Sequence, residues 1–196
     1  MSDELQQRLD LLILRLRTAY DGIGHSSGRP YVYFVYPPEQ ERAMQRMADE
    51  QLRSEKTLCF HHIDLLPLTI KSLAAQEERR QQLLNDPLKT SGATEAILRL
   101  WARTVSREIT TRLEAAQSEG ERPVVVLRGL ASLHPLGNPT ALMEFLAEQE
   151  PRNPRNNTIV PIVLLIPGIH PPQTSRRYLF LGQERLRLDF YRGEEM

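Results

Sequence analysis

One short segment of this chain, Cys59–Asp64, is dense in side chains that can bind a metal ion. Thiolate, imidazole and carboxylate groups are the ligands that Zn²⁺ takes in proteins, and a structural site needs four of them. On a strand, Cys59 and His61 share one face while His62 points to the other, so zinc would need ligands from elsewhere. Because a free cysteine is also a common small apolar core residue, we expect no metal at this segment.

Three further residues follow apolar runs that are typical of buried strands. Arg128 comes directly after the run 124–127, His134 lies in the loop beyond it, and His170 follows the next apolar run. In open α/β sheets, the loops at the carboxyl ends of the strands are where ligands and partners bind. Arg128, His134 and His170 are therefore candidate binding residues on one surface. The other interpretation is that glycine and proline shape these loops and that the histidines are incidental.

Nucleotide hydrolysis would need a glycine-rich loop directly after a strand, followed by Lys-Ser/Thr at the start of a helix. The glycines Gly22–Gly28 precede the first predicted strand, and Pro37-Pro38-Glu39 follows it. Prolines lack the amide that would hold a phosphate, and Arg128 stands where a magnesium-binding acid would end the central strand. No Gly-x-Ser-x-Gly elbow supports a hydrolase. We therefore assign no catalytic, metal-binding or cofactor-binding residue and expect a protein that is not an enzyme.

The elements that position these residues alternate between strands and helices. Strands are predicted at 31–36, 57–62, 123–127 and 159–166, with a closing hairpin of 177–181 and 186–191. Helices are predicted at 1–20, after Pro38, at 63–84, between 92 and 120, and at 140–148. This order predicts one α/β domain spanning 1–196, with its sheet-containing core at 31–192. Its mainly parallel sheet has helices on both faces, with a P-loop-NTPase-like topology, no Walker motifs and an antiparallel C-terminal hairpin at its edge.

The first helix carries an apolar stripe that is wider than a simple surface helix needs. Leu5, Leu9, Leu12 and Leu16 follow steps of three and four, and further leucines widen the stripe. The helix either packs on its own domain or lends a face to another protein. We therefore include Leu5, Leu9 and Leu12 among the candidate partner-binding residues.

Composition excludes several classes of protein. Of the 196 residues, 40% are hydrophobic and 26% charged, which argues against intrinsic disorder. Because 25 basic residues balance 25 acidic ones, no global positive field attracts nucleic acid or anionic lipid. The single cysteine excludes an intramolecular disulfide. The acidic start is unlike a signal peptide, and the longest apolar run has the length of a strand, so we expect a cytoplasmic protein without membrane contact.

Several C-terminal segments together resemble a known family. They are 124–136 (VVVLRGLASLHPL), 160–168 (VPIVLLIPG), 178–182 (YLFLG) and 188–192 (LDFYR). This pattern is similar to the BrxB family, a component of BREX bacteriophage-exclusion systems, and the resemblance extends over essentially the full length. The chain differs at Ile166 and Phe190, where the family has an aromatic residue and a second tyrosine.

The resemblance implies a role in antiviral defence and carries no active site with it. BrxB-like proteins are expected to act as non-enzymatic adaptors, with a PglZ-like protein as direct partner. The other expected contacts are BREX subunits such as the methyltransferase and the AAA+ ATPase. Two alternatives remain open. The chain could be a degenerate regulatory domain that senses a nucleotide through Arg128, His134 and the Gly22–Gly28 loop, or it could bind DNA directly through the pairs Arg152/Arg155 and Arg176/Arg177. Neutral net charge makes DNA binding the weakest of the three.

Overall fold

The computed structural model describes residues 2–23, 30–55, 57–74, 77–78, 81, 85, 92–115, 122–149, 152–171 and 176–196. Within these ranges the helices are α1 (Ser2–Thr18), α2 (Glu41–Gln51), α3 (Leu65–Ala74), α4 (Ala93–Ala115) and α5 (Pro139–Ala147). The strands are β1 (Tyr31–Tyr36), β2 (Leu58–Asp64), β3 (Arg122–Arg128), β4 (Ile162–Ile169), β5 (Arg177–Phe180), β6 (Arg187–Asp189) and β7 (Gly193–Glu195). Most of the Gly22–Gly28 loop, Gly120, and the second half of the predicted 63–84 helix lie outside the described residues, apart from a few positions.

The central sheet has the strand order β2-β3-β4-β1-β7, and its neighbours are all parallel. Helices α1 and α2 pack on one face, and α3, α4 and α5 pack on the other. Parallel strands covered on both faces form continuous apolar runs, and every residue of β1 is buried. The predicted α/β class, with a mainly parallel sheet between helices, is confirmed.

Side-chain alternation along the strands divides the core between the two faces. In β1, Tyr31, Tyr33 and Val35 join the cluster beneath α4 and α5, while Val32 and Phe34 join the cluster beneath α1 and α2. Local sequence defines the helix ends as well. At the start of α5, the Asn138 side chain accepts a hydrogen bond from the amide of Ala141 at 2.9 Å, and Pro139 occupies the first turn.

Strand β4 differs from its predicted bounds, because it begins at Ile162 and continues to Ile169. The Pro-Gly pair at 167–168 was expected to end it. Gly168 instead allows a close approach, since an added Cβ would lie 2.9 Å from the carbonyl oxygen of Leu179 and 3.3 Å from Val35. Gly168 pairs with Phe180 of β5, so the C-terminal hairpin is antiparallel as predicted but is attached to the end of β4 rather than to a lateral edge.

Strand β7 was not predicted. Gly193–Glu195 pairs in parallel with the first half of β1 and forms one lateral edge of the sheet. Two glutamates are poor strand residues, so this pairing depends on tertiary contacts rather than on local propensity. Gly193 is required by space: a Cβ there would come within 2.8 Å of the carbonyl oxygen of Tyr31 and closer still to the Tyr33 ring.

Candidate functional site

Strands β2, β3 and β4 run in parallel, so the segments that follow them open at one end of the sheet, which we call the carboxyl edge. It comprises Asp64 with the start of α3, the 128–137 segment after β3, and Ile169 with His170 after β4. This is the surface at which the sequence predicted Arg128, His134 and His170 to lie.

The turn after β3 is built around Gly129. This residue has φ +69°, and an added Cβ would lie 2.6 Å from Oδ1 of Asp64. The same carboxylate oxygen accepts a hydrogen bond from the amide of Leu66 at 2.9 Å, at the first turn of α3. The turn therefore packs tightly against the beginning of α3, and glycine is the residue that both the backbone and the space demand.

Arg128 joins two elements at this edge. Its guanidinium lies 2.5 Å from Oδ1 of Asp49 on α2 and 3.9 Å from Oδ2 of Asp64. The side chain keeps 26% of its surface exposed, and its Nε has no hydrogen-bond partner among the described residues. Arg128 is thus oriented by two carboxylates and still accessible to a ligand or partner.

The two histidines occupy different surroundings. His134 is half-buried in the loop after β3, where its amide bonds the carbonyl of Ala131 at 3.1 Å. His170 is exposed, and its Nε2 lies 2.6 Å from Oε1 of Glu195. His170 therefore reaches toward β7, whereas Arg128 reaches toward α2 and β2. The three candidates share one end of the sheet, but no hydrogen bond or ion pair between them occurs in the part of the chain that the structure describes.

Large apolar side chains that are exposed occur at two places in the described ranges. Four belong to the carboxyl edge and the helix that starts there, and we call them the carboxyl-edge patch: Leu66 (52% exposed), Ile70 (60%), Leu136 (36%) and Ile169 (40%). Two more, Leu11 and Leu14, lie on the outer side of α1. Leu136, Ile169 and the two leucines of α1 lie in regions that the sequence offered as partner surfaces, although they are not the residues it named. Leu66 and Ile70 lie on α3, which it did not offer.

Leu5, Leu9 and Leu12 are not available to a partner. They are 3%, 0% and 0% exposed and pack against the sheet together with Leu16. Burying each leucine contributes about 1.5–3 kcal/mol to folding, so this stripe holds α1 on its own domain. The stripe at steps of three and four is core, and the additional leucines are the exposed ones.

Cys59, His61 and His62 occupy the edge strand β2. The Cys59 thiol is partly buried beside the Ser54 hydroxyl at 3.5 Å. The Nε2 of His62 lies 2.8 Å from the carbonyl oxygen of Leu52, so Nε2 carries the proton and the ring donates this bond. Burial lowers the pKa of His62, which keeps the ring neutral near neutral pH. Among the described residues, no group of three His, Cys, Asp or Glu side chains is arranged to hold a metal ion.

The arginines of the two pairs considered for DNA binding are exposed, and one arginine of each pair bonds to another residue of the protein. Arg177 forms an ion pair with Asp189 at 2.8 Å across the C-terminal hairpin, and Arg152 donates to the carbonyl of Asn157 at 3.0 Å. These contacts stabilise local structure, so they do not favour a nucleic-acid surface.

A cationic groove beside β2, which we call the β2 groove, was not found from the sequence. It lies between α3, α4 and the end of β2 and has a volume of about 700 Å³. Its cations come from three elements that are distant in the chain: Lys71, Arg107, Arg112 and Arg128. The one local signal was the series Leu100, Thr104, Glu108 and Arg112, which recurs every four residues on α4.

None of the described helices is both long enough and apolar enough to cross a membrane. Comparisons of the chain with known protein families, with curated proteins and with solved structures found no match.

Proposed function

We propose that this protein is a non-enzymatic interaction subunit of a BREX-type phage-defence complex and that it binds a PglZ-like protein through its carboxyl edge. The observation that carries the proposal is the carboxyl-edge patch of Leu66, Ile70, Leu136 and Ile169. The system and the partner are proposed from the resemblance of residues 124–192 to the BrxB family.

The patch has the composition expected of a protein interface. Leu66 and Ile70 are one helical turn apart on α3 and are both more than half exposed, which leaves apolar surface in water. Exposed apolar side chains grouped in this way are typical of interaction sites. Arg128 lies at the same edge and supplies the kind of anchor that dominates binding energies.

The ends of the strands favour binding over nucleotide hydrolysis. β1 leads into Pro37 and Pro38, which have no N–H to offer a phosphate, and the Tyr36 hydroxyl donates to the Glu41 carboxylate at 2.6 Å. β3 ends in Arg128, which cannot ligate magnesium. These residues support an adaptor rather than an ATPase.

The test is co-purification with a tagged PglZ-like protein. Leu66→Asp combined with Ile70→Asp should abolish the complex. The change removes two apolar contacts, where losing a hot-spot residue costs about 2 kcal/mol or more, and it also requires two carboxylates to lose their water in the interface. Both positions are exposed, so the melting temperature should stay close to that of the parent.

Leu11→Asp combined with Leu14→Asp is the matched control, because it places the same charges on the exposed face of α1. We expect this variant to retain the complex. A folded carboxyl-edge variant that binds as tightly as the parent would refute the proposed surface, and loss of binding only in the α1 variant would move the partner to that helix.

A further inference from the structure

The β2 groove has the size of a small-molecule site. Its volume of about 700 Å³ is that of pockets that take drug-sized ligands, which range from about 300 to 1,000 Å³. One wall is α3, the other is a stripe of α4, and the end of β2 closes it with His62, Ile63 and Asp64. The groove therefore has three rigid sides made of helix and strand.

The charge of the groove is positive although the protein as a whole is neutral. Its lining contains four cations and two acids, Asp64 and Glu108. Glu108 lies 2.8 Å from Arg112, and Asp64 lies 3.9 Å from Arg128. The side chains of Lys71 and Arg107 form no hydrogen bond or ion pair with the residues that the structure describes. A concave surface with excess positive charge concentrates anions.

The lining also has an apolar part. Leu68, Leu100 and Pro67 lie in the same walls as Lys71 and Arg107. The neutral ring of His62 adds a flat surface without adding charge. A guanidinium fork and an ammonium suit phosphate oxygens, and an apolar wall suits the organic part of a ligand.

We propose that the β2 groove binds a phosphate-bearing small molecule of nucleotide size, with Lys71 and Arg107 contacting the phosphate and the apolar wall contacting the organic part. This site goes beyond the proposed function. The groove lies between α3 and α4, and Lys71 and Arg107 are not part of the carboxyl-edge patch. Binding a small molecule there needs no protein partner.

The experiment is calorimetric titration of the full chain with ADP in EDTA at low salt, compared with inorganic phosphate and with adenosine. We expect ADP to bind more tightly than either, because only ADP engages both the cations and the apolar wall. Lys71→Glu combined with Arg107→Glu should weaken ADP binding at least about tenfold, since it replaces attraction with repulsion at the phosphate.

Arg46→Glu combined with Arg176→Glu is the matched control, because both arginines are exposed, lie outside the groove and its two helices, and give the same change in net charge. We expect it to bind ADP as the parent does. The proposal is overturned if ADP does not bind the parent, if both double variants weaken ADP binding equally, or if inorganic phosphate binds as tightly as ADP. A single-stranded oligonucleotide that binds more tightly than ADP and displaces it would overturn it in favour of a nucleic-acid site. Thermal melts of both variants are recorded in parallel to check that they are folded.

Discussion

The two lateral edges of the sheet differ in how much of their positive charge the fold uses. At the β7 edge, Arg8 donates to the carbonyl of Val35 at 2.8 Å and to that of Met196 at 2.6 Å, and its guanidinium lies 4.9 Å from the centre of the Phe34 ring. Arg15 forms an ion pair with Glu194 at 3.2 Å, and Nε2 of His170 lies 2.6 Å from Oε1 of Glu195. At the β2 edge, two of the four groove cations are paired, Arg112 with Glu108 and Arg128 with Asp49, but Lys71 and Arg107 have no such partners among the described residues.

This difference shows that residue type alone does not separate structural cations from binding cations. An arginine that bonds backbone carbonyls holds two strands together, and its charge is already used. An arginine that points into a groove without an ion pair keeps its charge for a ligand. Mutations at the two edges should therefore separate stability from binding.

The largest expected effect is on stability at the β7 edge. Arg8→Gln removes hydrogen bonds to two partly buried carbonyls, and we expect the free energy of unfolding to fall by about 2 kcal/mol, because hydrogen bonds to charged groups contribute about 1.5–3 kcal/mol. Arg107→Gln at the β2 edge should change it by less than about 0.5 kcal/mol, as exposed positions usually do. Urea denaturation of the two variants and the parent measures both values.

Similar losses in the two variants would contradict this contrast between the edges. If Arg8→Gln left the free energy of unfolding unchanged, Met196 and β7 would have to be held by other contacts, such as the ion pair of Arg15 with Glu194.

A smaller effect is expected from pH at the β2 edge. Burial lowers the pKa of His62 in the folded state, while the unfolded ring titrates near pH 6.5. As the pH falls below about 6.5, the unfolded state binds more protons, so the free energy of unfolding decreases; above that pH this stability is fully present. The melting temperature of His62→Gln should therefore fall less than that of the parent when the pH is lowered from 7.5 to 5.5.

The comparison of the two pH profiles isolates this ring, because His62→Gln removes one titratable group and leaves the others in place. Identical pH profiles for the parent and His62→Gln would contradict the assignment of a buried neutral ring.

Much of the fold could be predicted because local pattern and tertiary structure agree there. The continuous apolar runs of β1 and β3 predicted strands, and the leucines at steps of three and four predicted a helix at the start of the chain. The assignment of Leu5, Leu9 and Leu12 to partner binding was wrong, because all three are buried. β7 could not be predicted, because Gly193–Glu195 has no strand character and is held by Arg8, Arg15 and His170 from distant elements.

The surfaces were harder to predict than the elements. The wide apolar face of α1 left open whether the helix packs on its own domain or lends a face to a partner, and only the packed structure shows that Leu5 is core and that Leu11 faces solvent. Three of the four cations that line the β2 groove, Lys71, Arg107 and Arg128, are separated by 20 or more positions in the printed sequence, so no short motif marks the groove.

The most direct test of the account is hydrogen exchange of the chain alone and in complex with a PglZ-like protein. If the partner binds the carboxyl edge, amides in α3 and in residues 129–137 should gain protection in the complex, while amides in α1 and at the β7 edge keep the exchange rates of the free chain. Protection confined to α1, or no change in protection at α3 and 129–137 in a complex shown to be formed, would contradict it.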